Sequence, residues 1–308
     1  MGAGGLLPQG LRDRLPGEAA TQARTVRALL DSIEGRGYNR VSPPLAEYED
    51  GLAARLKSSR TDLARFVDPL SQRTLAIRPD ITPQIARIVS TQLAEVPRPL
   101  RLAYAGPVLK LGATQLNPQR EAMQVGAELI GDDSVAAACE ITGIAVAALK
   151  AAGVEGITVD LTMPDLVQTL AGLLLSPGEI ADLDALLDMK DAGGLAEAGY
   201  ASWLPLIAAT GPVAPALDAL RKFDHAGLMT SRIAGIEAIA AELAGSGVRV
   251  TLDPTERHGF EYHSWFGFSL FLSSGTNAVG RGGCYTIAHG DGHDEAATGF
   301  SVYPDGFG

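Results

Sequence analysis

Three groups of residues in this chain of 308 carry side chains able to do chemistry. In IRPDITPQ, Arg78, Asp80 and Thr82 sit where an apolar, strand-like run gives way to a helix opened by Pro83. Such a junction sets free backbone donors beside a carboxylate, a place to hold a charged small molecule. The competing reading is that Asp80 and Thr82 only cap the helix. In EAMQVGAELIG, Gln124, Gly126 and Glu128 share one face of a strand, and Met123, Val125 and Ala127 share the other. An amide and an acid beside a glycine can line a pocket above a sheet, although a half-solvated antiparallel strand shows the same alternation. The third group is AHGDGHDEAATG, where His289, Asp291, His293, Asp294 and Glu295 match no spacing known for metal ligands and read as a mobile polar loop. Cys284 reads as buried rather than reactive. No glycine-rich phosphate loop and no GxSxG elbow occurs, and His258 lies near Glu256 and Glu261 without a nucleophile at a useful spacing.

These residues need elements to hold them. Pro16 and Glu18 open a helix with Val26, Leu29, Leu30 and Ile33 on one face, stopped by Gly35 and Gly37. YNRVSPPL reads as a short strand, residues 48–64 as a polar helix, and ARFVDPLSQRTLAIRPD as a hairpin turning at Pro69–Arg73. Thr82 is expected to cap a helix running from Pro83 to about Leu93. RLAYAGPVL and EAMQVGAELIG read as strands joined by the polar KLGATQLNPQR, followed by an alanine-rich helix to Lys150 and the strand ITVDLTM. From 164 to 247 leucines and alanines recur at helical spacing, broken at Pro177, Gly193, Pro212 and Gly227. Strand character returns in VRVTLDP, EYHSWFGFSLFL, TNAVGRGGCYTI and ATGFSVY. The expectation is an α+β fold, an antiparallel sheet with helices on one side, whose core is split into 1–163 and 248–308 by a helical insertion at 164–247.

Composition narrows the function classes. With 46% hydrophobic and 20% charged residues the chain can bury a large core. Two distant cysteines, Cys139 and Cys284, make no disulfide framework and no zinc pattern, which points to a reducing cytosol. The first residues lack the apolar stretch of a secretory signal, and the longest apolar run, Ile141 to Val154, is too broken to span a bilayer. A net charge of -11 opposes binding to polyanions.

The order of the segments adds a resemblance. QGLRDRLP and GYNRVSPPL resemble the opening and motif 1 of class II histidyl-tRNA synthetases, and LAIRPDITPQIAR resembles that family's arginine-proline-acid-x-threonine segment. RLAYAGPVLK and REAMQVGAELIG resemble the two strands of motif 2. RHGFEYHSWFGFSLF resembles the histidine-family signature, and VGRGGCYT with ATGFSVY resembles the approach to motif 3. The resemblance implies a class II synthetase-like antiparallel sheet, with Asp80, Thr82 and Gln124 at the α-amino end of bound histidine. It further implies Glu128 at the imidazole and Tyr262 as one of two tyrosines, the second being His263 here.

Departures from the family change the expectation from synthetase to regulator. The motif 2 arginine is Lys110 and the acid two residues on is Gly112; the activating arginine falls at His258, beside Arg257. The arginine of the glycine-glycine-arginine-tyrosine segment is Cys284, and SVYPDGFG has no motif 3 arginine. A lysine lacks the planar fork that grips phosphate oxygens, so adenylation is expected to be lost. The sequence also stops near motif 3, where a synthetase continues into an anticodon-binding domain. A synthetase-like chain of this kind resembles the regulatory subunits of ATP phosphoribosyltransferase. That resemblance implies no catalysis, no cofactor, no metal, no tRNA and no membrane. It implies a short catalytic subunit as partner, self-association as a homodimer within a hetero-oligomer, and free histidine as an effector. The other readings are an amino-acid-activating paralogue using Lys110 and Arg257, and an assembly module without a ligand.

Overall fold

The computed structural model describes residues 7–53, 63–112, 119–172, 174–257, 259–260, 263–289 and 292–307. In chain order the elements are α1 (Pro16–Glu34), β1 (Asn39–Arg40), β2 (Ala46–Tyr48), α2 (Glu49–Ala53), β3 (Ala64–Val67), β4 (Thr74–Ile77), α3 (Thr82–Thr91), β5 (Leu100–Leu109) and β6 (Glu121–Ile130). Then come α4 (Val135–Ala151), β7 (Ile157–Thr162), α5 (Leu166–Ala171), α6 (Pro177–Asp188), α7 (Ala192–Glu197), α8 (Leu204–Ile207), β8 (Gly211–Pro212), α9 (Val213–Phe223) and α10 (Thr230–Ala244). The chain closes with β9 (Arg249–Leu252), β10 (His263–Leu272), β11 (Gly280–Ala288) and β12 (Asp294–Val302). The polar helix expected at 48–64 is described only as α2, and 113–118 of the polar link between β5 and β6 lie outside the described residues.

A nine-stranded sheet carries the order β1-β5-β6-β12-β11-β10-β7-β9-β8, and β2-β4-β3 form a second, small sheet. The long central strands are antiparallel, while the β1–β5 and β7–β9 pairs are parallel. A parallel neighbour needs a long crossover. Between β7 and β9 that crossover is α5–α10 with the two-residue strand β8, which pairs with β9. This pairing ties the segment expected as purely helical to the sheet edge.

Strand parity sorts the side chains onto two faces. Ala103, Val125, Ala127, Leu129 and Phe300 join the larger core with Leu29, Leu30 and Ile33 of α1 and Ile141, Ala145 and Leu149 of α4. Leu102, Tyr104, Ile130, Ala297 and Tyr285 pack on the other face with Ile81 and with Ile85 and Val89 of α3. Helices therefore cover both faces at this end, against the one-sided arrangement expected. α4 starts where Ser134 accepts from Ala137 N at 3.2 Å, satisfying a first-turn donor. Thr82 does not cap α3: the N-cap is Ile81, whose N–H is taken by the Gln124 side chain, and the Thr82 N–H is taken by Asp80 Oδ1. With those donors satisfied, the Thr82 hydroxyl is free to turn toward the sheet. Among the described residues no helix is long and apolar enough to cross a membrane.

Candidate functional site

On the α3 side of β5, β6, β11 and β12, polar groups close into one network. The Gln124 amide donates to Asp80 Oδ1 and to Ser301 Oγ, each at 2.7 Å, while its carbonyl accepts from Ile81 N at 2.9 Å. Glu128 Oε1 accepts from the Tyr104 hydroxyl at 3.0 Å and from the Thr82 hydroxyl at 3.2 Å; its Oε2 accepts from the Tyr285 hydroxyl at 2.9 Å. Tyr104 and Ser301 hydroxyls lie 2.9 Å apart. Gln124 is 0% exposed and Glu128 is 1% exposed, so β6 is no half-solvated strand. Asp80 Oδ1 accepts from the Thr82 N–H at the α3 start, as the capping reading has it, and also from the Gln124 amide.

Glycine makes the space for this network. Gly299 pairs with Gly283, and Gly283 with Gly267, so three adjacent strands lack side chains along one row. A Cβ on Gly299 would meet Glu128 Oε2 at 1.6 Å, one on Gly283 the His263 ring at 2.5 Å, and one on Gly267 the Phe260 ring at 2.7 Å. The trough is thus occupied by the protein's own Glu128, His263 and Phe260. Across the sheet, Gly126 accommodates the Tyr104 ring, whose hydroxyl a Cβ would approach to 2.4 Å.

Of the residues singled out from sequence, Asp80, Thr82, Gln124 and Glu128 come together, and His263 lies on the same face, its ring 5.1 Å from that of Phe260. Lys110 sits exposed at the margin, its Nζ 5.5 Å from the Tyr303 ring centroid. His258 and Tyr262 lie outside the described residues. Arg257 is committed elsewhere: its guanidinium meets Asp184 at 3.3 Å and the Pro164 carbonyl, and its N–H donates to Asp188. Cys284 is buried on the opposite face, its sulfur 3.3 Å from Thr298 Oγ1, and burial pushes its thiol up to about 12. The described ends of the segment expected as a mobile polar loop are tied: His289 Nε2 meets Glu295 at 2.9 Å and Arg98 also pairs with Glu295. Asp291 lies outside the described residues, and among those described no cluster of His, Cys, Asp and Glu is placed to hold a metal.

Sequence reasoning missed Tyr104, Tyr285, Ser301 and Arg281. The usable signal for Tyr285 and Arg281 was parity with Gly283, for Tyr104 parity with Gly106, and for Ser301 parity with Gly299.

Burial pushes the Glu128 carboxyl up to about 8; the Tyr285 and Tyr104 bonds oppose this and the charge of Asp80 adds to it. A carboxyl raised from 4.5 in this way favours folding most below its unfolded value, and that contribution is lost as pH climbs through about 8. Between about pH 5 and pH 8 Glu128 should therefore erode stability by up to about 1.4 kcal/mol per pH unit. Denaturant unfolding of Glu128→Gln should show a flatter pH profile than the parent; an identical slope would refute the assignment.

Comparison with known proteins agrees with this architecture. Residues 10–306 match the histidyl-tRNA synthetase family. An ATP phosphoribosyltransferase regulatory subunit from Rhodospirillum centenum is 41% identical over 97% of this chain and 79% of its own length. The solved ATP phosphoribosyltransferase regulatory subunit/histidyl-tRNA synthetase of Bacillus halodurans superposes with a TM-score of 0.86 at 26% identity, covering 99% of this chain and 82% of that one. A chain of the ATP phosphoribosyl transferase complex from Thermotoga maritima, 16% identical, shares the fold at a TM-score of 0.71 over 91% of this chain and 96% of its own. With its class II synthetase-like sheet, the chain belongs to the histidyl-tRNA synthetase-like family of ATP phosphoribosyltransferase regulatory subunits.

Proposed function

We propose that this chain does no chemistry of its own and activates a short ATP phosphoribosyltransferase catalytic subunit in the first step of histidine biosynthesis. It also carries histidine's feedback to that partner, as a homodimer within a cytoplasmic hetero-oligomer that binds no tRNA. The observation that carries the reading is the split fate of the site. The acid-and-amide face of Asp80, Gln124 and Glu128 is intact and bonded, while Lys110 stays at the rim and Arg257 is held by Asp184. Amino-acid recognition needs the first set; phosphoryl chemistry needs several cations on the phosphates. The names of the relatives support the same partner.

Feedback requires that histidine bind one state of the assembly better than another. The occupied trough supplies a candidate for those states, with Glu128, His263 and Phe260 in place or displaced. Mixing the chain with a short catalytic subunit from the same source should raise its turnover and give a co-eluting complex. Added histidine should lower that turnover, and this chain alone should give none. No rise together with no co-elution would remove the proposal, and ATP–pyrophosphate exchange by this chain would favour an amino-acid-activating enzyme instead.

A further inference from the structure

Arg281 brings to the site face a positive charge that forms no ion pair among the described residues. It lies on β11 opposite Ser301 of β12, and directly opposed residues of an antiparallel pair project to the same side. Ser301 is the residue that meets Gln124 and Tyr104. The guanidinium carbon stands 5.7 Å from the Phe260 ring centroid. It also presses on Gly259, where a Cβ would come within 2.1 Å of Nη1. Its charge acts on the Tyr303 hydroxyl together with that of Asp80, which places Arg281 and Asp80 around one side chain. The Nε is enclosed and lacks a hydrogen-bond partner, and among the described residues the guanidinium makes no ion pair. Glu256 feels its charge without pairing with it.

The neighbouring groups behave differently. Gln124, Glu128 and Tyr104 are all buried and all bonded. The Phe260 ring attracts the guanidinium, but the enclosed Nε donates to nothing, a cost that a hydrogen-bonding anion would remove. The surrounding charge decides which anion. Asp80 and Glu128 share the face, so a ligand carrying several negative charges would meet carboxyls as well as the arginine. A zwitterion can give its ammonium to the acid and its carboxylate to the arginine.

We propose that Arg281 binds the α-carboxylate of a free amino acid whose ammonium group is held at Asp80. This deepens the reading that histidine is the effector and rests on it. The planar fork of arginine matches a carboxylate in two parallel hydrogen bonds, which a lysine cannot copy.

Calorimetric titration of the full chain with L-histidine, with histamine, which lacks the carboxylate, and with AMP as a phosphate-bearing probe tests it. The parent should bind histidine roughly 10- to 100-fold more tightly than histamine. Arg281→Met and Arg281→Gln should bind the two alike, with histamine affinity unchanged as proof that the site is still folded. Arg281→Lys should recover part of the preference. A variant without the arginine that keeps the full preference for histidine would overturn the proposal, as would a loss confined to AMP. A parent that binds neither amine overturns both this proposal and the histidine limb of the proposed function. Activation of the catalytic subunit on mixing is read separately and would survive either result.

Discussion

Gly299→Ala is expected to lower the unfolding free energy by about 3–5 kcal/mol and to abolish any response to histidine. The added Cβ would stand 1.6 Å from Glu128 Oε2, 2.5 Å from its Cδ and 2.9 Å from the Ala127 carbonyl oxygen. The backbone oxygen belongs to the β6–β12 ladder and cannot yield, so the carboxyl must move. Moving it breaks bonds from Tyr104, Tyr285 and Thr82 at a carboxyl that is buried. Overpacking accounts for about 1–3 kcal/mol and the stranded polar groups for a similar amount. Denaturant unfolding measures the sum, and a double-mutant cycle with Glu128→Ala isolates the clash. Cutting back Glu128 should recover more than half of the loss, because the groups are in contact and their effects do not add. A single Gly299→Ala variant within about 0.5 kcal/mol of the parent would show that the carboxyl has somewhere else to go.

Arg78→Met should cost a comparable about 3–5 kcal/mol, from a different cause. Arg78 is 4% exposed and reaches three segments at once: Nε donates to the Pro107 carbonyl at 2.9 Å, and Nη1 donates to the Pro43 carbonyl at 3.0 Å and to Gln84 Oε1 at 3.2 Å. It ties β5, the approach to β2 and α3 together, and Glu47, bonded to Gln84 and Arg87, completes the cluster. Methionine fills similar space but leaves buried carbonyls without donors. The guanidinium lies across Gly106, where a Cβ would meet Nη2 at 2.1 Å, so Gly106→Ala should reproduce much of the loss. Thermal unfolding of both variants measures this; a loss under about 1 kcal/mol in Arg78→Met would mean that water reaches these carbonyls.

The long strands were legible because they are apolar runs bounded by polar segments. RLAYAGPVL and EAMQVGAELIG became β5 and β6 with Leu100 opposite Ile130 and Leu109 opposite Glu121. Half of the site was legible with them, since Gln124 and Glu128 share a face by counting alone. The other half depends on register between segments far apart in sequence, which a local pattern does not encode. Tyr285 reaches Glu128 across 157 positions, and Ser301 reaches Tyr104 across 197. Thr82 shows the same limit at short range. Its type and place before Pro83 suit a cap, but Asp80 and Gln124 take the donors it would have served. The place of Arg281 on the site face depends on β11 pairing with β12 opposite Ser301, which the local sequence does not encode.

The parallel pairing of β7 with β9 has a bearing on how the chain assembles. Thr158 lies beside Arg249, so the crossover must close over roughly ninety residues before that edge of the sheet exists. The β5–β6 and β11–β12 pairs are separated by far less chain than β7 and β9 and can form early, since loop closure grows costlier with length and distant pairings form slowly. Until β9 arrives, β7 offers an open edge on the side away from β10, and an open strand edge is a template for other chains. The helices that fill the crossover also set the time for which that edge stays bare, so faster formation of α10, which leads directly into β9, should shorten the chain's exposure to aggregation while it folds.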